Sequence, residues 1–299
     1  MFTSVLLLIC FGLAEIYSVA LGRSQLDLLN FKKQIIFIII GVIALFLFSF
    51  FDYHSLRSYS KYFYVLGLGL LAGVLFIGQT IRGTKGWFNL ADFNLQPVEF
   101  IKFVLILFLA KYFSSASPKT KEFKRLLISG SGALLFIILV LAQPDFGSAF
   151  VLFLSWLSMI ILVGFNKKYL LSIGLILALI FSGSWYFILQ NYQKERIITF
   201  LNPSFNPLSQ GYNVSQAIIA VGAGGMIGRG LGFGSQSQLK FLPEAQTDFI
   251  FAVVAEELGF SGVLLILLFF GIFFYRCLYH LKRVNNDFGT FFILGSLSL

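Results

Sequence analysis

The sequence predicts an all-α integral membrane protein, a polytopic bundle of spanning helices with a long extracytoplasmic loop. Of 299 residues 58% are hydrophobic and only 12% are charged, with a mean hydropathy of +0.88. An ordinary soluble domain is about a quarter charged, and half that charge cannot cover a water-facing surface. Phe contributes 38 residues, which suits a lipid-facing exterior and aromatic packing between helices. Apolar runs of the roughly 20 residues that cross a hydrocarbon core recur along the whole chain.

Those runs fall near 2–21, 34–51, 62–79, 97–113, 126–143, 146–165, 170–189 and 250–278. A ninth opens near 288 and is still apolar at Leu299, so the expectation is a chain that stops inside a span, with at least one helix beyond. The first run lacks a basic start, carries Glu15 and is followed by further spans, which marks an uncleaved helix rather than a signal peptide. The stretch 126–165 has Asp145 as its only charge. At 1.5 Å per residue, its roughly 40 residues are about twice the membrane thickness, so it must be two spans. The reversal is expected at Gln143-Pro144-Asp145. The whole of 1–299 reads as one polytopic domain with two distinctive loops, about 80–98 and 190–249.

Loop charge sets the orientation. With the N-terminus inside, the inner loops hold twelve Lys or Arg residues (Arg57, Lys61, Lys111, Lys119, Lys121, Lys124, Arg125, Lys167, Lys168, Arg276, Lys282 and Arg283). The short outer loops hold five, Arg23, Lys32, Lys33, Arg82 and Lys85, and this bias favours a cytoplasmic N-terminus. The loop at 190–249 is exempt, because long loops translocate largely regardless of charge. The same scatter accounts for the net charge of +9 without nucleic acid, since there is no basic tail or continuous stripe. Cys10 and Cys277 exclude a disulfide framework, and no Cys/His spacing suits a metal. His54 and His280 read as isolated residues at the inner surface.

Chemistry concentrates in the two outer loops. In RGTKGWFNLADFNLQPVEFIK, Pro97 suits the first turn of a helix, and Glu99 and Lys102, three apart, share a face and can pair. Ionisable groups at membrane depth tend to face a cavity or each other, as a functional or a structural pair. Trp87 alone reads as an interfacial aromatic. Asp145 in QPDFGSA can cap the sixth span, a role compatible with function. The glycine-rich stretch Gly222 to Gly234 fails GxGxxG in every register and lacks a preceding strand, so no nucleotide cofactor is expected. Its glycines suit tight turns and close backbone approach, to an anionic head group or to another helix. Asp248 stands at the mouth of the eighth span, where partial desolvation would suit a general base; an N-terminal cap is the alternative. Glu256 and Glu257 lie about two turns deeper. Arg196, Arg229 and Lys240 could attract a phosphate or pyrophosphate, or be solvated.

In chain order, GW, QPVEFIK, QPDFGSA, GYNVSQAIIAVGAGG, GRGLGFGSQSQLKFLPE and TDFIFAVVAEELGFSG closely resemble the SEDS family, the RodA/FtsW/SpoVE group of bacterial shape, elongation, division and sporulation proteins. The resemblance covers nearly the whole chain. It implies a bundle of about ten helices, nine of them here, with both ends cytoplasmic, and a peptidoglycan glycosyltransferase that polymerises lipid II into glycan strands at the outer face of the bacterial cytoplasmic membrane. It implies a class B penicillin-binding protein as partner, within the elongation or division machinery. It places the catalytic aspartate on Asp248, the polar cavity and loop positions on Trp87, Glu99, Lys102 and Asp145, and the loop arginine on Arg196. On this reading Asp248 would deprotonate the incoming sugar hydroxyl itself or hold a Mg²⁺ or Mn²⁺ ion that does so. The chain departs from the pattern at Lys85-Gly86, Asn202-Pro203 and Gln246, where the family usually has a basic pair, Asp-Pro and His. A lipid II flippase and a non-catalytic scaffold are the rival readings, and polar residues crowded into the outer half favour the enzyme. GSQSQLKFLPE leans toward elongation and GRGLGFGSQ toward division.

Overall fold

The computed structural model describes residues 1–21, 28–81, 83–90, 93–116, 120–187, 191–202 and 210–299. The first helices are α1 (Phe2–Leu21), α2 (Leu29–Ser49), α3 (Tyr53–Ile77), α4 (Pro97–Ser115), α5 (Glu122–Leu141), α6 (Phe146–Val163) and α7 (Lys167–Phe187). The long loop carries α8 (Asn191–Leu201), α9 (Gln210–Gly224) and α10 (Ser235–Gln238), followed by α11 (Ile250–Leu281) and α12 (Asp287–Leu297). Strands β1 (Gln79–Ile81), β2 (Thr84–Leu90) and β3 (Phe93–Leu95) form a small antiparallel meander between α3 and α4.

Among the described residues seven of these helices are long and apolar enough to cross a membrane. The other two of the nine expected are α4, which carries Glu99, Lys102 and Lys111, and α12, which has 11 residues. With three charged residues, α4 is closely enclosed: more than half of its 19 residues are buried, whereas no residue of α2 is. That is the arrangement expected where lipid is the solvent, because polar side chains are cheapest facing protein.

The chain forms two compact units. One comprises residues 50–175 and 277–299 and is built on a continuous apolar core from α3, α4, α5, α6 and α12, with Leu105, Phe136, Leu152, Met159 and Phe288 at its centre. The reversal at Gln143-Pro144-Asp145 is as expected, with α5 ending at Leu141 and α6 starting at Phe146. At the opposite end of the spans Asp52 caps α3. Hydrogen bonds from the His54 amide (3.0 Å) and ring (2.8 Å) hold its carboxyl below the usual range. His54 is therefore not isolated, since its other ring nitrogen lies 3.5 Å from the Asn286 amide. A carboxylate at the helix start draws the ring in, which sequence spacing did not reveal.

The other unit, residues 1–49 and 176–276, has a small apolar core around Val19, Ala220, Leu242 and Val253. Its organising feature is a break in α11. The span expected over 250–278 is interrupted at Gly259, whose φ of 68° lies in the left-handed region. From Phe260 to Leu281 the helix runs about 33 Å, enough to cross the bilayer alone. The break would orphan backbone groups, and the glycine-rich segment satisfies them. Arg229 and Gly230 amides donate to the Glu256 and Glu257 carbonyls at 3.0 and 2.8 Å. The Phe260 and Ser261 amides donate to the Gly225 and Met226 carbonyls at 2.9 and 3.1 Å. Irregular backbone is tolerated at such sites only when another segment completes its hydrogen bonds. A Cβ on Gly228 would collide with the Glu257 carbonyl oxygen, and one on Gly259 with the Gly228 amide. These glycines make both expected uses, tight turns at positive φ (Gly225, Gly228, Gly230 and Gly232) and a close approach to α11.

Candidate active site

The expected site residues fall in both units. In the core-rich unit, Trp87 sits half-buried on β2, opposite Gln79 in the antiparallel register. The meander is tied to the α5–α6 turn, because the Lys85 amide donates to the Gln143 carbonyl at 3.2 Å. The buried Gln143 side chain in turn donates to the Leu71 carbonyl at 3.4 Å. Asp145 caps α6, accepting from the Ser148 amide at 3.0 Å and hydroxyl at 2.7 Å. It also accepts from the Gln96 side-chain amide at 3.1 Å, so one carboxylate fixes both the α6 start and the residue preceding Pro97. Gln96 is the N-cap position of α4, and this link orients the first turn that carries Glu99.

Glu99 and Lys102 form the expected pair at 2.7 Å. The lysine is largely covered, at 20% side-chain exposure, while the carboxylate is open at 62%. The buried member is thus neutralised by a partner that still faces outward, an arrangement that leaves a polar surface on an otherwise apolar helix.

In the other unit Asp248 lies on the last turn before α11 and is exposed. The partial desolvation expected there is not supplied by protein packing. Nor is Asp248 a cap: among the described residues its carboxylate makes no hydrogen bond or ion pair, and it stands free. Its turn is nonetheless well anchored. The Asn30 amide donates to the Gln246 side-chain oxygen at 2.7 Å, and the Gln246 amide donates to the Ile16 carbonyl at 3.4 Å. Lys240 and Glu244 hold positive φ angles of 61° and 51°, a strained backbone that surrounding structure must enforce. A cavity of about 340 Å³ opens beside this turn, lined by Asn30, Gln238, Lys240, Glu244, Gln246 and Thr247. Lys240 lines this cavity, while the side chain of Arg196, on α8, lies outside the described residues. Arg229 is held by the Ala223 carbonyl (3.2 Å) and the Ser235 hydroxyl (2.9 Å).

Beneath the turn, Glu256 and Glu257 are fully buried. Glu256 accepts from the Gln236 and Ser237 amides at 2.8 and 3.1 Å, which caps α10 from another helix. Glu257 accepts from the Ser18 hydroxyl, the Gly232 amide (3.0 Å) and the Gln238 amide (3.2 Å). These carboxylates, read from sequence only as deeper neighbours of Asp248, hold the glycine-rich loop together. Glu15 on α1 is also fully buried, and neither of its oxygens has a hydrogen-bond partner among the described residues. Among those residues no group of three His, Cys, Asp or Glu could hold a metal ion.

The family model for FtsW, RodA and SpoVE, described as cell cycle protein, matches residues 1–299. The chain belongs to this family. It is 36% identical to stage V sporulation protein E of Bacillus subtilis, over 98% of this chain and 81% of that protein. It is 35% identical to the peptidoglycan glycosyltransferase MrdB of Escherichia coli, over 78% of this chain but only 63% of that protein. A probable peptidoglycan glycosyltransferase FtsW from a Geobacter species is 33% identical over 97% of this chain and 80% of its own length. Such similar identities do not separate the sporulation, elongation and division branches. A chain from a structure of a peptidoglycan synthase complex, described as coordinating polymerization and crosslinking, superposes with a TM-score of 0.79 at 26% identity, covering 99% of this chain and 82% of that one. The Thermus thermophilus rod shape determining protein RodA shares the fold, with a TM-score of 0.70 at 24% identity and coverage of 99% and 79%. The FtsW/RodA/SpoVE fold thus accounts for the multi-pass helical architecture.

Proposed function

We propose that this chain is a peptidoglycan glycosyltransferase that polymerises lipid II at the outer face of the bacterial cytoplasmic membrane, with Asp248 as its catalytic base. The observation that carries this reading is the free Asp248 carboxylate, exposed on a turn that is itself pinned by Gln246, Asn30 and strained backbone. A base must be available to substrate yet held in place, and this residue meets both conditions. Asp248 takes the proton from the attacking sugar hydroxyl of one substrate. The new glycosidic bond forms at the anomeric carbon of the other, and undecaprenyl pyrophosphate leaves with the bonding electrons. Lys240, on the rim of the adjacent cavity, would meet the growing negative charge of that leaving group.

A Mg²⁺ or Mn²⁺ ion fits here only as a shared guest. Asp248 offers one carboxylate, so the remaining ligands would come from the substrate diphosphate and water, as Mg²⁺ commonly accepts. Bound there, it would neutralise pyrophosphate charge. By the family resemblance Glu99 and Lys102 would line a polar cavity, and Trp87, Asp145 and Arg196 are loop residues. The partner is a class B penicillin-binding protein of the elongation or division machinery, a reading supported by the likeness to a chain of a synthase complex.

The test is polymerisation of purified lipid II by the full-length protein with its partner, with and without divalent cation. Asp248→Asn should abolish polymer, and removing the cation should lower the rate if the ion is shared. Polymer made at the normal rate by a folded, partner-bound Asp248→Asn protein contradicts the assignment. A second reading, lipid II translocation, is favoured by the buried Glu15 and the interrupted α11, since buried carboxylates and broken helices also mark transporters. Translocation by proteoliposomes that survives Asp248→Asn would support that rival.

A further inference from the structure

The proposed chemistry uses none of the cations at the other end of the core-rich unit, and three of them converge there. Arg57 and Lys61 lie four apart on α3, so they share one face. Lys111 lies on α4, where both of them repel its ammonium group electrostatically. Arg57 begins the second turn of α3 and Lys111 stands one turn before the end of α4, so the cluster sits at the ends of two neighbouring spans. That is head-group level for helices that cross a bilayer.

Arg57 and Lys111 are positioned without being neutralised, and Lys61 stands exposed one turn along α3 from Arg57. The Arg57 guanidinium donates to the Ser115 hydroxyl at 3.1 Å and lies 5.9 Å from the centre of the Phe288 ring. Lys111 donates to the Ser58 carbonyl at 3.5 Å. Among the described residues none of the three cations has a carboxylate within ion-pair distance. Glu99 and Lys102, by contrast, neutralise each other on the same α4. Three neighbouring cations, two of them held by neutral acceptors, are unfavourable alone, and an anion placed among them reverses the sign of the interaction. The guanidinium has N–H groups left for two oxygens, and the ammonium groups act as point charges, a combination suited to phosphate.

We propose that Arg57, Lys61 and Lys111 form a binding site for the phosphodiester of an anionic phospholipid. The membrane-level position favours a lipid over a soluble phosphate, and the threefold positive charge favours phosphatidylglycerol or cardiolipin over a zwitterionic head group. The site is independent of the reading of Asp248.

The full-length protein, in nanodiscs of phosphatidylcholine with or without phosphatidylglycerol, tests this by thermal unfolding and by the lipid retained in native mass spectrometry. Wild type should gain several degrees in melting temperature with phosphatidylglycerol and retain it preferentially. Lys61→Gln/Lys111→Gln should lower that retention about tenfold or more. In pure phosphatidylcholine the same variant should melt no lower than wild type, because repulsion is relieved. Lys121→Gln/Lys124→Gln should behave like wild type throughout. Three outcomes overturn the proposal: equal retention by Lys61→Gln/Lys111→Gln and wild type, a lower melting temperature of that variant in pure phosphatidylcholine, or displacement of the lipid by millimolar glycerol phosphate, which would assign the site to soluble phosphate.

Discussion

The two units hold together by different means. Residues 50–175 with 277–299 pack side chain on side chain, with Phe136, Leu152, Met159 and Phe288 closing a large apolar core. Residues 1–49 with 176–276 have few buried apolar residues and rely instead on backbone exchange across Gly259 and on two buried carboxylates. In lipid, apolar burial gives helices little reason to choose one partner over another, so packing shape decides in the first unit. Hydrogen bonds decide in the second, because an unmet polar group has no water to turn to. The lesson is that the unit bearing Asp248 is the one specified by directional bonds, which fix geometry more tightly than dispersion does.

That contrast can be broken by substitution. The largest effect is expected for Gly259→Ala. A Cβ there meets the Gly228 amide at a positive φ, and the loss should be roughly 4 kcal/mol or more, read as failure to recover a monodisperse protein from detergent. The same change at Gly83, also at positive φ but in open space, should cost only about 1 kcal/mol. Next comes Glu256→Ala, which leaves the Gln236 and Ser237 amides buried without an acceptor. About 3 kcal/mol is expected, with hydrogen exchange rising in 225–240 but not in α4. Phe136→Ala in the apolar unit should cost about 2 kcal/mol, less than in a soluble core because the transfer term is small in lipid and chiefly the cavity remains. Asp145→Ala removes a cap and the link to Gln96 for about 1 kcal/mol, seen as a modest drop in melting temperature. Should Phe136→Ala outweigh Glu256→Ala, the distinction between the units fails.

Much of this architecture was legible in the chain. Spans longer than a bilayer is thick announced themselves by length and apolarity, and the reversal before Asp145 followed from arithmetic on 126–165. The Glu99–Lys102 pair followed from helical spacing. The break in α11 did not, because a glycine inside an apolar run is common and its φ depends on a partner segment some thirty residues away. For the same reason the carboxylates of Glu256 and Glu257 could be placed in depth but not given partners: their donors are backbone amides, which leave no mark in sequence. The strands around Trp87 are short and their pairing is set by the turn at Gly83, so they read only as a polar loop. Asp248 was visible as a position, while its freedom from any cap required coordinates.

The central claim is that a free carboxylate on a rigid turn performs the chemistry. The most direct measurement pairs, for Asp248→Asn, the rate of lipid II polymerisation by the full-length protein with its melting temperature. The account predicts a rate at least about 100-fold lower, the scale of a lost general base, at an unchanged melting temperature, because among the described residues nothing bonds to that carboxylate. Polymerisation within a few-fold of wild type, or a rate loss that merely follows a lowered melting temperature, would contradict it.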